Sequence, residues 1–227
     1  MAYNNRFYMP SRNDSKIGHN MWFSFENGPV TFVSVDTETN FPNSFFPQYN
    51  FNGEQLIWLD QTLKNVNRKK TPWVIVVGHR PIYSSQNVFS NATGEIIGES
   101  KILQDAFEDI LYNNNVDIMM VGHVHSYERT HPVYKTKVEK TNGKMHNLRY
   151  PIHIVNGAGG NIEGLTATTD FYFNQEWKAS ILNKDEGYGI LRTTFDRLTK
   201  VHSLKFNYHY AKTNEVVDSF TITKDSY

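Results

Sequence analysis

The sequence predicts an α/β fold, and three stretches carry that prediction. Val74-Ile75-Val76-Val77 and Val116-Asp117-Ile118-Met119-Met120-Val121 are apolar runs of strand length. Between them, Ile102, Leu103, Ala106, Phe107, Ile110 and Leu111 recur at helical spacing. Strand, helix and strand in that order is the pattern of a parallel sheet with helices packed on its face.

The other elements follow along the chain. Residues 1–20 are polar and aromatic without a period and read as loop, and 30–36 (Val-Thr-Phe-Val-Ser-Val-Asp) is the first strand. A Pro- and Asn-rich connection fills 40–52. The spacing of Leu56, Leu59, Leu63 and Val66, opposite Asp60, Gln61, Lys64 and Asn65, predicts a helix that ends before Pro72. The strand at 73–78 comes next, then a Ser/Asn/Gly-containing loop over 84–99 and the helix of 100–112, closed by Asn113-Asn114-Asn115. Residues 135–149 read as loop or hairpin, and the strand at 152–155 opens into Gly157-Ala158-Gly159-Gly160-Asn161. Stretches 189–195, 200–206 and 216–223 alternate in β fashion. With no internal repeat and no shift of composition, residues 1–227 are expected to form one domain, with 150–227 its β-rich C-terminal part.

Composition narrows the function. The 227 residues are 39 % hydrophobic and 14 % aromatic, enough to fill a sizeable core. Twenty-three basic residues balance 23 acidic ones, so no basic excess points to nucleic acid or an anionic membrane. Cysteine is absent, which excludes a thiolate metal site, a cysteine nucleophile and a disulfide-linked dimer. No stretch reaches the ~18–20 apolar residues of a membrane span, and the first residues hold no signal-peptide core. Asn13 and Asn91 begin glycosylation tripeptides.

The chemistry is in the histidines. Both central strand runs stop at glycine and deliver histidine, as Gly78-His79 and as Gly122-His123-Val124-His125. Parallel strands bind ligands at their carboxyl ends, and glycine lets the chain turn sharply there. Alternation is expected to put His123 and His125 on one side, converging with His79 on metal. A lone histidine at a strand end is more often structural; an i, i+2 pair matched by a second strand end is a ligand set. His19, His131, His146, His153, His202 and His209 lack that context, with His153 reading as packing. Asp36-Thr37-Glu38-Thr39 resembles the first motif of two-metal 3′–5′ exonucleases, but the further acidic motifs do not follow in order; a strand ending in a polar turn is the plainer reading. Gly157–Gly160 lacks the Lys-Ser/Thr of a P-loop and is expected to let the backbone pass close to the metal site.

Gly78-His79-Arg80-Pro81-Ile82-Tyr83-Ser84 and Gly122-His123-Val124-His125-Ser126-Tyr127-Glu128-Arg129 resemble the fourth and fifth metal motifs of the purple acid phosphatases, which are metallophosphoesterases. Arg6-Phe7-Tyr8-Met9-Pro10, Thr71-Pro72-Trp73 and Asn156–Asn161 are similar to family segments in the same order. The resemblance implies an α/β/β/α sandwich of two facing sheets flanked by helices. It implies that His79 and His123 bind a divalent metal (Zn, Fe or Mn) and that His125 binds a ferric ion. It implies hydrolysis of small phosphomonoesters at acid pH by a binuclear metal-activated hydroxide, in a secreted or vacuolar/lysosomal setting.

Two departures accompany the resemblance. The family's Asp, bridging Asp with Tyr, and Asn-His motifs lie upstream of the segment found here at 6–10. The chain is therefore expected to be the C-terminal part of a longer enzyme, nearly inactive alone, or else an inactive remnant that keeps the scaffold and at most one weakly bound metal. Without the upstream strands, a sheet edge is expected to stand open and favour self-association. The family's substrate-contacting histidine, about ten residues beyond the His79 position, is absent, and the sequence names no general acid.

Overall fold

Strands that are apolar on both faces need cover on both, and the central strands have it. The computed structural model of the protein describes residues 6, 9, 21–38, 53–90, 93, 95–167 and 175–226. Its main sheet has seven strands: β1 (Phe23–Asn27), β2 (Val30–Ser34), β3 (Trp73–Val77), β6 (Ile118–Val121), β10 (Ile152–Asn156), β7 (Tyr127–Thr130) and β11 (Lys178–Leu182), in that spatial order. The four central strands β2, β3, β6 and β10 run parallel, so their carboxyl ends lie at one end of the sheet. Strands β1, β7 and β11 pair antiparallel, and β1 and β11 form the edges.

Alternation decides which residue faces which layer. Val74, Val76, Met119 and Val155 pack with Leu59, Leu63, Leu103, Phe107 and Leu111 from the helices. Trp73, Ile75, Ile118, Ile152 and Ile154 pack on the opposite face with Leu204, Phe206, Tyr208, Phe220 and Ile222. Those last residues come from a three-stranded antiparallel sheet: β12 (Gly187–Asp196), β13 (Val201–Tyr210) and β14 (Val216–Asp225). The described residues thus form helices, sheet and sheet in layers. A salt bridge ties the layers together: Lys224 on β14 stands 2.5 Å from Asp117, both side chains buried.

The predicted helices form as α1 (Glu54–Lys64) and as a second helix made of α2 (Glu99–Leu103), a π segment (Gln104–Glu108) and α3 (Asp109–Asn113). The π segment has no counterpart in the 3.6-residue apolar stripe. The loop expected over 84–99 contains a short hairpin, β4 (Val88–Phe89) with β5 (Ile96–Ile97). The loop-or-hairpin stretch forms a hairpin of β8 (Val133–Tyr134) and β9 (Lys137–Val138); positive φ at Lys135 and Thr136 turns it. No helix among the described residues is long and apolar enough to cross a membrane.

Candidate functional site

The sheet end where β2, β3, β6 and β10 finish collects the chemistry. His79 follows β3, and its backbone is held by Thr37, which is buried just beyond β2. The N–H groups of His79 and Arg80 both donate to Thr37 Oγ1, at 3.0 and 2.8 Å. Gly122 N–H donates to the His79 carbonyl at 3.0 Å, so the two histidine-bearing loops are tied directly. Thr37→Val removes the shared acceptor and leaves two N–H groups unpaired. It is expected to lower stability by about 1–3 kcal/mol in thermal or urea unfolding, with most of the loss restored in Thr37→Ser.

Strand β6 ends at Val121, and the expected alternation stops with it. Val124 N–H donates to the Gly122 carbonyl and Ser126 N–H to the Val124 carbonyl, both at 2.8 Å, which makes two successive three-residue turns centred on His123 and His125. The first is strained: φ of His123 is +65°, in the left-handed region that non-glycine residues avoid. The sharp turn therefore falls on the histidine itself, whereas the sequence would assign it to Gly122. The two side chains consequently meet different partners.

His123 joins His79. Their rings lie edge-on with centroids 5.1 Å apart, and His123 Nδ1 stands 3.3 Å from His79 Nε2. Two nitrogens each about 2.05 Å from a common ion at a tetrahedral angle lie about 3.3 Å apart, so the pair fits one zinc-like ion. Burial, seconded by the Arg80 and His79 charges, holds the His123 imidazole below its ordinary pKa, in the neutral form that ligates metal. Arg80 contacts His123 Nε2 at 3.2 Å while donating to Glu38 and Glu99, each at 2.8 Å.

His125 turns to the loop after β10. Its Nδ1 lies 3.1 Å from the Gly164 carbonyl, so Nδ1 carries the proton and Nε2 the lone pair. A backbone carbonyl fixing the tautomer in this way is the usual support of a metal-bound imidazole. The Asn161 amide nitrogen stands 3.1 Å from Nε2. Among the described residues, no three His, Asp or Glu side chains already converge as ligands of one ion. The structure thus brings His79 and His123 together and sets His125 against a separate partner set.

The glycine run does what was expected of it at one position. A Cβ on Gly157 would lie 2.0 Å from the Val124 carbonyl oxygen, so only glycine lets this loop lie against the histidine turns. A cleft of about 380 Å³ opens beside His123, lined by Arg80, Gln86, Glu99 and Thr166 together with the apolar Ile97 and Leu103. His153 is buried core, edge-on to Tyr83 with centroids 4.8 Å apart and its pKa pushed down to about 3 by burial. His209 is fixed by the Asn214 carbonyl at 3.1 Å. Asn13 and Asn91 lie outside the described residues, as does most of the segment at 6–20.

A family model for calcineurin-like phosphoesterases matches residues 3–127, more than half of the chain. The chain belongs to that family. A second model, for the C-terminal part of iron/zinc purple acid phosphatase-like proteins, matches residues 150–219. An acid phosphatase of Aspergillus ficuum is 33 % identical over an alignment spanning 100 % of this chain and 41 % of its own length. A protein named probable inactive purple acid phosphatase 1, from Arabidopsis thaliana, is 34 % identical across 96 % of this chain and 32 % of its own. Among solved structures, the purple acid phosphatase PPD1 from yellow lupin seeds superposes with a TM-score of 0.71 at 27 % identity, covering 96 % of this chain and 34 % of that one. The chain spans 32 % to 41 % of the length of these curated relatives and of a further acid phosphatase from Cryphonectria parasitica. The expected family and its α/β fold hold.

Residues that the sequence left unassigned complete the site. Thr37 and Glu38, weighed as a polar turn or an exonuclease motif, serve the histidine pair. Glu128, buried, accepts from Ser85 N–H and Oγ–H, both at 2.6 Å, and from Ser126 Oγ–H at 2.9 Å. It therefore clamps the loop after His79 to the loop after His125. Its place in the string around His123 was the available signal.

Proposed function

We propose that this chain carries the histidine side of a two-metal acid phosphatase site that hydrolyses small phosphomonoesters. The observation that carries the reading is the nitrogen pair of His79 and His123, set 3.3 Å apart at parallel strand ends beside an open cleft. His79 and His123 hold the divalent ion, and His125, its Nδ1 proton committed to Gly164, offers Nε2 to the ferric one. When bound, such ions supply positive charge to phosphoryl oxygens and lower the pKa of water. The protein's own part is to seat the leaving group. Ile97 and Leu103 give the cleft apolar surface for its body, and Arg80 and Gln86, which line the same cleft, give polar groups for its heteroatoms.

A second reading is a scaffold that keeps one weakly held ion and no turnover; what favours it is the lack of three converged ligand side chains among the described residues. The two separate on metal content and turnover, measured on the protein as its gene encodes it. Iron plus one divalent ion per chain, with aryl phosphate hydrolysis at acid pH that falls at least about 100-fold in His123→Ala, is the expected result. One ion or none, with no hydrolysis, leaves the scaffold reading.

A further inference from the structure

The three-residue turn centred on His125 leaves that residue's own N–H and C=O outside the closing bond, and backbone groups so placed need partners from elsewhere. One residue supplies both. Thr166 Oγ1 accepts the His125 N–H at 2.9 Å, and Thr166 N–H donates to the His125 carbonyl at 3.0 Å. The same stretch of chain holds the ring, through the Gly164 carbonyl 3.1 Å from Nδ1. Backbone and imidazole are thus gripped by one strap, residues 161–167, and the grip fixes the direction of Nε2, the nitrogen with the lone pair.

The strap has anchors of its own. Asn183 Nδ2 donates to the Thr166 carbonyl at 3.4 Å and Gln86 Nε2 to the Ala167 carbonyl at 3.3 Å. The second bond comes from the loop after His79, so the strap joins the two histidine-bearing loops. Thr166 and Gln86 also line the cleft beside His123. Resting on the two-metal reading above, we propose that Thr166 is a positioning residue for the ferric ion, setting His125 from the wall of the cleft so that Nε2 meets the ion. The other contacts of the strap cannot replace it. Gly164 holds the ring and not the backbone, and Asn161 Nδ2 reaches only Nε2, at 3.1 Å. Residues 159–167 belong to neither apolar core, so loss of the hydroxyl acts locally.

The test compares Thr166→Val, which keeps the shape and loses the acceptor, with Thr166→Ser, which keeps it, in the protein as its gene encodes it. Metal-free protein is read by amide hydrogen exchange at His125, and loaded protein by the affinity for iron and for the divalent ion in competition with a chelator. Thr166→Val is expected to speed the exchange and to weaken iron binding, each at least about tenfold, with the divalent ion held within about threefold of wild type. The melting temperature of its metal-free form should fall by no more than about 4 °C. Thr166→Ser is expected to match wild type throughout. Unchanged exchange or unchanged iron affinity in Thr166→Val overturns the assignment. So does an equal loss of both ions, which marks general loosening, or an equal loss in Thr166→Ser. His125→Ala separates the two levels: iron lost there but kept in Thr166→Val leaves the two-metal reading standing without this one. Iron kept in His125→Ala, or absent from wild type, removes both.

Discussion

Gly157→Ala is expected to cost at least about 3 kcal/mol and to abolish divalent-ion binding at the histidine pair. The reason is space. A Cβ at this position would lie 2.0 Å from the Val124 carbonyl oxygen and 2.9 Å from its carbon, both backbone atoms. That oxygen already accepts Ser126 N–H in the turn centred on His125, and Gly157 N–H donates to the Ser126 carbonyl at 3.0 Å. Neither side can retreat without opening the turns that carry His123 and His125. For a chain of this size the loss corresponds to a melting temperature lower by about 6–12 °C. Gly159→Ala is the matched control, since nothing lies within 4 Å of its added Cβ. Equal melting temperatures for the two variants would show that the loop does not lie against the turns as described.

The parallel core was legible because β3 and β6 are buried on both faces, and burial on both faces leaves an unbroken apolar run; β10 shows it with one break, at the buried His153. The helix stripes were legible for the same reason in a different period. Strand β7 was not: all four of its residues are buried, yet two are Glu128 and Arg129. Their burial rests on partners distant in sequence, Ser85 for the first and Asp218 for the second, so no local pattern announces it. Edge strands β1 and β11 are five residues each and only partly covered, which weakens alternation. In the site, paired Gly-His strand ends gave away His79 and His123. The left-handed turn was assigned by residue type to Gly122, whereas the structure places it on His123. Strain of this kind persists only where surrounding contacts impose it; of those contacts the glycine run announced Gly157, whereas Thr37 and Glu128 are residues whose types carry no such message.

Glu128→Ala is expected to cost about 3 kcal/mol or more, because one buried carboxylate serves donors from two loops. Removing it strands Ser85 N–H, Ser85 Oγ–H and Ser126 Oγ–H in a dry interior. Each unpaired donor costs about 1–3 kcal/mol, less than additively where neighbours rearrange. Ion affinity should fall with stability, since Ser85 belongs to the loop after His79 and Ser126 adjoins His125. Glu128→Gln keeps one acceptor and is expected to lose less, which makes it the variant for isolating charge. Burial raises the Glu128 pKa above its ordinary 4.5, against the hydrogen bonds from Ser85 and Ser126. The folded state therefore keeps its proton in a window where the unfolded chain has lost it. Stability is greatest below that ordinary value and declines as pH rises through the raised one. Glu108, also raised chiefly by burial, contributes a decline of the same sign. Melting temperatures across the acid range should thus fall with rising pH less steeply in Glu128→Gln than in wild type, leaving the Glu108 part. An identical slope would mean that the carboxylate is not protonated in this window.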